Sequence, residues 1–303
     1  MKALFLALVV TVGCSSTSPM SSVTRSNGGG VGGTGSTVPA GGNGAGASSV
    51  GAGNGTAGTV SLIIADAGTT DANQTCVPMP VGRLRDFRAD DGGHLGQPDF
   101  EKQSLFKTMD YDPTLGYPEK GIALAKLGAD QKPVFSGGSF KTVTSGATFD
   151  QWYRDVPNVN LPFDYTLPLV LDPATNTLVY DTTAFFPLDG RGFGNSGVDD
   201  DGNMHNFGFT FELHMKFVYA GGETFTFRGD DDMFVFIAGQ LAIDLGGVHA
   251  PMEASVELDT LGLTKGSEYP IDIFQAERHT TQSNFRVETT LAFSNCAPII
   301  IPK

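Results

Sequence analysis

A chain of 303 residues with 33 acidic against 19 basic side chains carries a formal charge of −14. That balance argues against nucleic acid, whose phosphates demand a basic face, and against attraction to anionic lipid. It suits a cation or a neutral ligand such as a glycan.

Met1 to Cys14 places one lysine before an apolar run of roughly ten residues, the form of a secretory signal. The run is too short to span a membrane, which takes about twenty apolar residues. Gly13-Cys14-Ser15 resembles the cleavage box of bacterial lipoproteins, in which the cysteine becomes the lipidated first residue, although Thr11 departs from the usual leucine. Residues 1–13 are therefore read as a leader and Cys14 as the lipidation site, with plain secretion as the alternative. From Ser15 to about Gly58 the sequence is almost wholly Gly, Ser, Thr, Asn and Ala, too polar to order itself by burial. The span 14–74 thus reads as a disordered tether. These features place a bacterial protein outside the cell, either secreted or on the surface as an outer-membrane lipoprotein. Its contact with membrane is then only through the lipid anchor.

Residues 75–303, rich in Phe, Gly and Asp, form the expected folded domain. With Cys14 lipidated, Cys76 and Cys296 remain as a pair, one at each end of that domain. In an exported protein a disulfide between them would clasp its two ends; two unpaired thiols are the alternative. Pro98 to Lys107 and Pro118 to Leu127 read as short helices opened near a proline. Phe207, Phe209, Phe211, Leu213, Met215, Phe217 and Tyr219 then alternate with polar or small residues, which predicts a strand with one buried face. Gly221-Gly222 turns the chain into a strand beginning at Phe225 and Phe227. Met233 to Ile237 is continuously apolar, as in a strand buried on both faces. Leu241 to Asp244, Tyr269 to Ala276 and Ser283 to Phe293 complete an all-β, antiparallel sandwich or barrel.

Between two of these strands stand Asp230, Asp231 and Asp232. Adjacent carboxylates repel one another, and a hard cation that takes several oxygen ligands relieves the repulsion. The acidic triplet is therefore the candidate metal loop.

A set of motifs spread over the folded part resembles the fibro-slime domain family: Arg85-Asp86-Phe87, Pro98-Asp99-Phe100-Glu101, Phe149 with Trp152-Tyr153, Phe185 to Asp189, His205 to Thr210, Gly229 to Asp232, Asp244 to His249, and Ala276 to His279 with Ser283-Asn284-Phe285. That family is in turn similar to the protective-antigen carbohydrate-binding barrel, the PA-fourteen type. The second resemblance implies that Asp230 and Asp231 bind Ca2+ through a cis peptide and that sugar hydroxyls complete the ion's shell. It puts a further ligand near Glu277, with His279 or Asn284 approaching if the register shifts. Asp232 stands where that family has a small residue, either as an outer ligand or as a solvated turn residue.

Around this loop, Asp244, His249, Arg278, His279 and Asn284 are the candidate glycan contacts. Asp244 and His249 either line the cleft or, respectively, cap a Gly turn and sit satisfied in the core. Glu277 and Arg278 either serve the site or form an internal ion pair. A second acidic stretch, Asp199 to Asn203, has the alternating oxygens of a calcium loop without its later Gly and Glu, and reads as a polar turn or an accessory site. Neither Gly-x-Ser-x-Gly nor His-Glu-x-x-His occurs, and adjacent carboxylates do not straddle a sugar as glycoside hydrolysis requires. The reading is a non-catalytic, surface-anchored adhesin-like domain that binds glycan or polysaccharide. The rival is a matrix or coat protein in which calcium and a disulfide only stabilise the fold.

Overall fold

The computed structural model describes residues 78–88, 96–100 and 116–294. The expected leader, the tether, Cys14 and the Cys76 and Cys296 pair lie outside the described residues. In chain order the elements are β1 (Val81–Phe87), β2 (Gly116–Pro118), the short helix α1 (Gly146–Phe149), β3 (Asn160–Thr166), β4 (Val170–Asp172), β5 (Thr177–Thr182), β6 (Gly197–Val198), β7 (Met204–His205), β8 (Phe209–Val218), β9 (Thr224–Gly229), β10 (Asp232–Ile237), β11 (Gln240–Leu245), β12 (Gly247–His249), β13 (Met252–Glu257), β14 (Glu268–Glu277) and β15 (Phe285–Thr289).

Two antiparallel sheets face one another. The larger has the order β11-β10-β14-β8-β1-β3, and the smaller β13-β9-β15-β5-β4. The fold is an antiparallel β-sandwich, as the alternating strands imply.

The period-two pattern of β8 explains its place. Phe209, Phe211, Leu213, Met215 and Phe217 all enter the core between the sheets, with Phe225, Phe227, Phe285 and Val287 from the smaller sheet. Each such phenylalanine contributes roughly 1.5–3 kcal/mol relative to exposure. A second core lies on the other side of the larger sheet, where Phe87, Phe234, Phe236 and Phe274 meet Ile122, Val143, Phe149, Trp152 and Tyr153. This accounts for the continuous apolar run of β10: Met233, Val235 and Ile237 serve the inner core while Phe234 and Phe236 serve the outer one. The β10 to β11 hairpin turns through Ala238 and Gly239, both at positive φ, the mirror-image turn that suits strand twist.

The layer over the outer core is where sequence expectation and structure part. Pro118 to Leu127 is not a helix but turns and isolated bridges, Ala123 with Phe135 and Lys126 with Gln240. The segment is tied to the sheet by pairing, which a helix would forgo. Of Pro98 to Lys107, Pro98 to Phe100 forms a turn closed by Phe100 N–H to Gln97 O at 3.1 Å, and the rest lies outside the described residues. β15 ends at Thr289 rather than running to Phe293, which instead makes its own bridge to Phe217.

A buried acidic rim and its loops

Strand β9 delivers Gly229 to one end of the sandwich, and the chain passes through Asp230 and Asp231 into β10. The peptide bond between the two aspartates is cis. The loop from Arg278 to Asn284, which joins β14 to β15, lies against them. Asp230 accepts from Asn284 twice, at one oxygen from its backbone N–H and at the other from its side-chain Nδ2 at 2.8 Å. Asp231 accepts from the N–H of His249 at 3.2 Å and that of Arg278 at 3.0 Å. The Gln275 side chain donates to the carbonyl of Asp230 at 3.2 Å.

Asp232 is not a solvated turn residue. It is 0% exposed, accepts from Gly247 N–H at 2.6 Å, and pairs through Oδ2 with Arg278 Nε at 2.6 Å. Arg278, also 0% exposed, spends its other donors on the carbonyls of Asp99 and Thr142 and on the Thr142 hydroxyl. Its guanidinium lies 4.5 Å over the Trp152 ring, whose indole N–H donates to Asp99 at 3.0 Å. The expected glycan contact Arg278 is thus corrected: a side chain with no exposed surface cannot touch a glycan, and this one pins the outer layer to the sheet.

Burial raises the carboxyls of all three aspartates. For Asp230 the bonds from Asn284 oppose it, and for Asp232 the charge and bond of Arg278 do. Asp231 is raised furthest, because burial is reinforced by the neighbouring Asp230 and Asp232 against the pull of Arg278. Glu277 is buried as well, at the end of β14 opposite Phe209. The charges of Asp232, Asp231 and Asp99 all act on the buried guanidinium of Arg278.

The remaining expected residues fall as follows. Among the described residues no three His, Cys, Asp or Glu side chains converge as a metal-holding group. Of the expected trio, Asp230 and Asp231 stand on the loop between β9 and β10, and Glu277 is the last residue of β14. His249 is buried with its ring nitrogens 2.8 Å from the carbonyl of Ala250 and 3.1 Å from that of Leu245. Asp244 accepts from Gly121 and Gly246 N–H groups at 2.7 and 3.2 Å. Of the two readings for this pair, the structure places Asp244 as a turn cap and His249 in the core. Asn284 is buried on Asp230. His279 is partly exposed beside Thr280, and burial lowers its pKa.

Asp199 closes its own turn, accepting from Asp201 and Asn203 N–H groups at 3.0 and 2.7 Å and from Asn203 Nδ2 at 3.1 Å, which makes Asp199 to Asn203 a polar turn. The sequence did not disclose that this hairpin of β6 and β7 meets the rim. Gln282 donates to Asp200 at 3.0 Å, and Gly197 comes so close that a Cβ would fall on Thr280. The rim's exposed face is thus Thr281 and Gln282 with Asp200, beside the exposed Val198 and Met204. The oxygens fit a hard cation only in part: two adjacent carboxylates are present, and Asn284, backbone carbonyls or ligand hydroxyls would have to supply the remainder.

Residues 191–300, which include this rim, match the family model of the PA14 domain. The chain is 42% identical over 188 residues to Protein psiQ of Dictyostelium discoideum, covering 59% of this chain and 19% of psiQ. It is 37% identical over 222 residues to Protein psiD of the same organism, covering 67% of this chain and 44% of psiD. With Protein psiC it shares 40% over 184 residues, 57% of this chain and 36% of psiC. The chain spans less than half of the length of these relatives. Among solved structures, the CBM36-1 domain of a multidomain xylanase from the hindgut metagenome of Trinervitermes trinervoides covers 38% of this chain and 96% of its own, at 12% identity and a TM-score of 0.21. A likeness at that score carries neither fold nor ligand across.

Proposed function

We propose that this chain, a β-sandwich with a PA14 match over residues 191–300, is a non-catalytic surface domain of the fibro-slime kind that binds glycan with the help of calcium. The observation that carries the reading is the charge imbalance at the rim: Asp230, Asp231 and Asp232 are buried side by side, and among the described residues Arg278 is the one cation paired with any of them. Arg278 is ion-paired to Asp232, and among the described residues no ion pair reaches Asp230 or Asp231. In this reading Asp230 and Asp231 hold the ion, and the Asn284 side chain, bonded to Asp230, stands beside it. Calcium would supply an electrophilic centre for sugar hydroxyls. The protein's own part is to hold the two carboxylates rigidly, through the N–H groups of His249, Arg278 and Asn284, and to present Thr281, Gln282 and Asp200 at the edge. Export, a lipid anchor at Cys14 and a Cys76 to Cys296 disulfide belong to the same proposal, as does adhesion to cells or polysaccharide.

A second reading has one observation in its favour. Asp230 and Asp231 are only 3% and 4% exposed, so a calcium ion there could brace a matrix or coat protein and touch no sugar. Glycan-array binding separates the two, measured with calcium, with chelator and for Asp231→Asn. Sugar retention that needs both calcium and Asp231 supports the glycan reading. A calcium-dependent rise in melting temperature with no sugar retained supports the bracing role, since a ligand of the native state stabilises it by occupancy alone.

A further inference from the structure

The solvent face of the smaller sheet carries an open groove of about 530 Å³ lined by Thr226, Arg228, Glu253, Ser255, Arg286 and Glu288. Antiparallel register brings these side chains into two rows on one face, because directly opposed residues point the same way. One row reads Glu253, Arg228, Arg286 and Asp181 across β13, β9, β15 and β5. The next reads Ser255, Thr226, Glu288, Val179 and Val170, continuing onto β4. Further along the same rows, a separate depression is lined by Pro168, Val170, Val179 and Asp181. Five strands at about 4.8 Å spacing give a path of roughly 19 Å across the sheet.

Two guanidiniums directly opposite one another are unfavourable unless each is compensated. Arg286 is compensated by ion pairs to Asp181 and Glu288. Arg228 makes no hydrogen bond or ion pair among the described residues; its field reaches Asp230, whose pKa it lowers slightly against the larger effect of burial. The groove thus offers an uncommitted planar five-donor group beside carboxylate acceptors and two hydroxyls.

We infer that this face is a second glycan site, independent of calcium, for a linear neutral polysaccharide. Vicinal hydroxyls are both donors and acceptors, so they bridge Arg228 to Glu253 and Glu288 in one plane. The C–H faces of successive rings meet Val170 and Val179. Polyanions are disfavoured because Glu253, Glu288 and Asp181 outnumber Arg228 and Arg286 on a chain of charge −14. The site uses none of the side chains assigned to calcium, so it stands or falls separately from the rim.

Affinity electrophoresis of the full chain in excess chelator tests it, with gels containing a β-glucan, a xylan, a galactomannan, a dextran or a polygalacturonate. The expected result is retardation by at least one neutral polymer, weakened tenfold or more in Arg228→Gln and in Glu253→Gln, with melting temperatures unchanged because both side chains lie on the solvent face. No retardation of folded protein by any neutral polymer in chelator overturns the inference. So does retardation that both variants retain, or retardation by polygalacturonate alone. Loss of binding on chelation alone would strike this site and leave the rim reading intact.

Discussion

Arg278 Nε and Asp232 Oδ2 are 2.6 Å apart, and neither side chain reaches solvent. Charges withdrawn from water in this way are stabilising only while both are present, since either one alone is left buried and uncompensated. The guanidinium also satisfies the carbonyls of Asp99 and Thr142 and covers Trp152.

Replacing one member therefore costs more than a surface ion pair would. Asp232→Asn and Arg278→Gln are each expected to lose about 3–5 kcal/mol in urea unfolding. A loss under about 1 kcal/mol, the range of exposed pairs, would contradict the clamp.

The outer face of the larger sheet holds a second charged cluster with a definite pH signature. His214 Nδ1 lies 2.6 Å from Asp272 and its Nε2 2.5 Å from Glu212, which also meets Lys132 and, at 2.7 Å, Arg85. Burial alone would raise Glu212, but the His214 bond and the charges of Arg85, His214 and Lys132 outweigh it and hold the carboxyl at about 2. Burial lowers His214, yet the bonds and charges of Asp272 and Glu212 leave it raised above 6.5. A depressed carboxyl stabilises the fold above its unfolded value near 4.5 and loses that contribution as pH falls toward about 2. A raised histidine stabilises below 6.5 and loses its contribution as pH climbs through its folded value. These two groups together place their greatest contribution to stability between about pH 4.5 and 6.5. In melting curves against pH, His214→Gln is expected to flatten the alkaline side, and an unchanged alkaline slope would count against the assignment.

At the neighbouring corner, Asp86 accepts from Phe193 N–H and from Asn206 Nδ2, and a Cβ on Gly192 would fall on its carboxylate. Gly192 also stands at φ +58°. Gly192→Ala is expected to destabilise by at least 1–2 kcal/mol from the left-handed backbone alone. Burial, opposed by the bonds from Asn206 and Phe193, raises Asp86 to about 6. Its contribution to stability is therefore complete below about 3.8 and is lost as pH rises through about 6. Asp86→Asn is expected to remove that dependence, read as a smaller fall in melting temperature between pH 4 and 7.

The strands were legible in sequence because their faces are chemically unlike. Alternating phenylalanines marked β8, and the unbroken run of β10 marked a strand between two cores. The outer layer was not legible, because residues 116–160 dock by caps, bridges and ring contacts that follow no period. At the site, the Asp230 and Asp231 pair could be located from adjacency and family resemblance. The role of Asp232 could not, because its partner lies 46 residues away and only folding brings Arg278 beneath it. Arg278 and His249 looked like ligand contacts for the same reason: a polar residue near a motif does not disclose in sequence whether it is buried.

In the proposed function calcium at Asp230 and Asp231 is coupled to glycan binding, and coupling is reciprocal between two ligands of one protein. Calcium should be titrated calorimetrically into the folded chain, with and without a saturating sugar found on the array. The account expects one calcium per chain, abolished in Asp231→Asn, and an affinity raised by sugar by the factor by which calcium raises sugar affinity. Folded protein that takes up no calcium, or takes it up with an affinity indifferent to sugar, would contradict it.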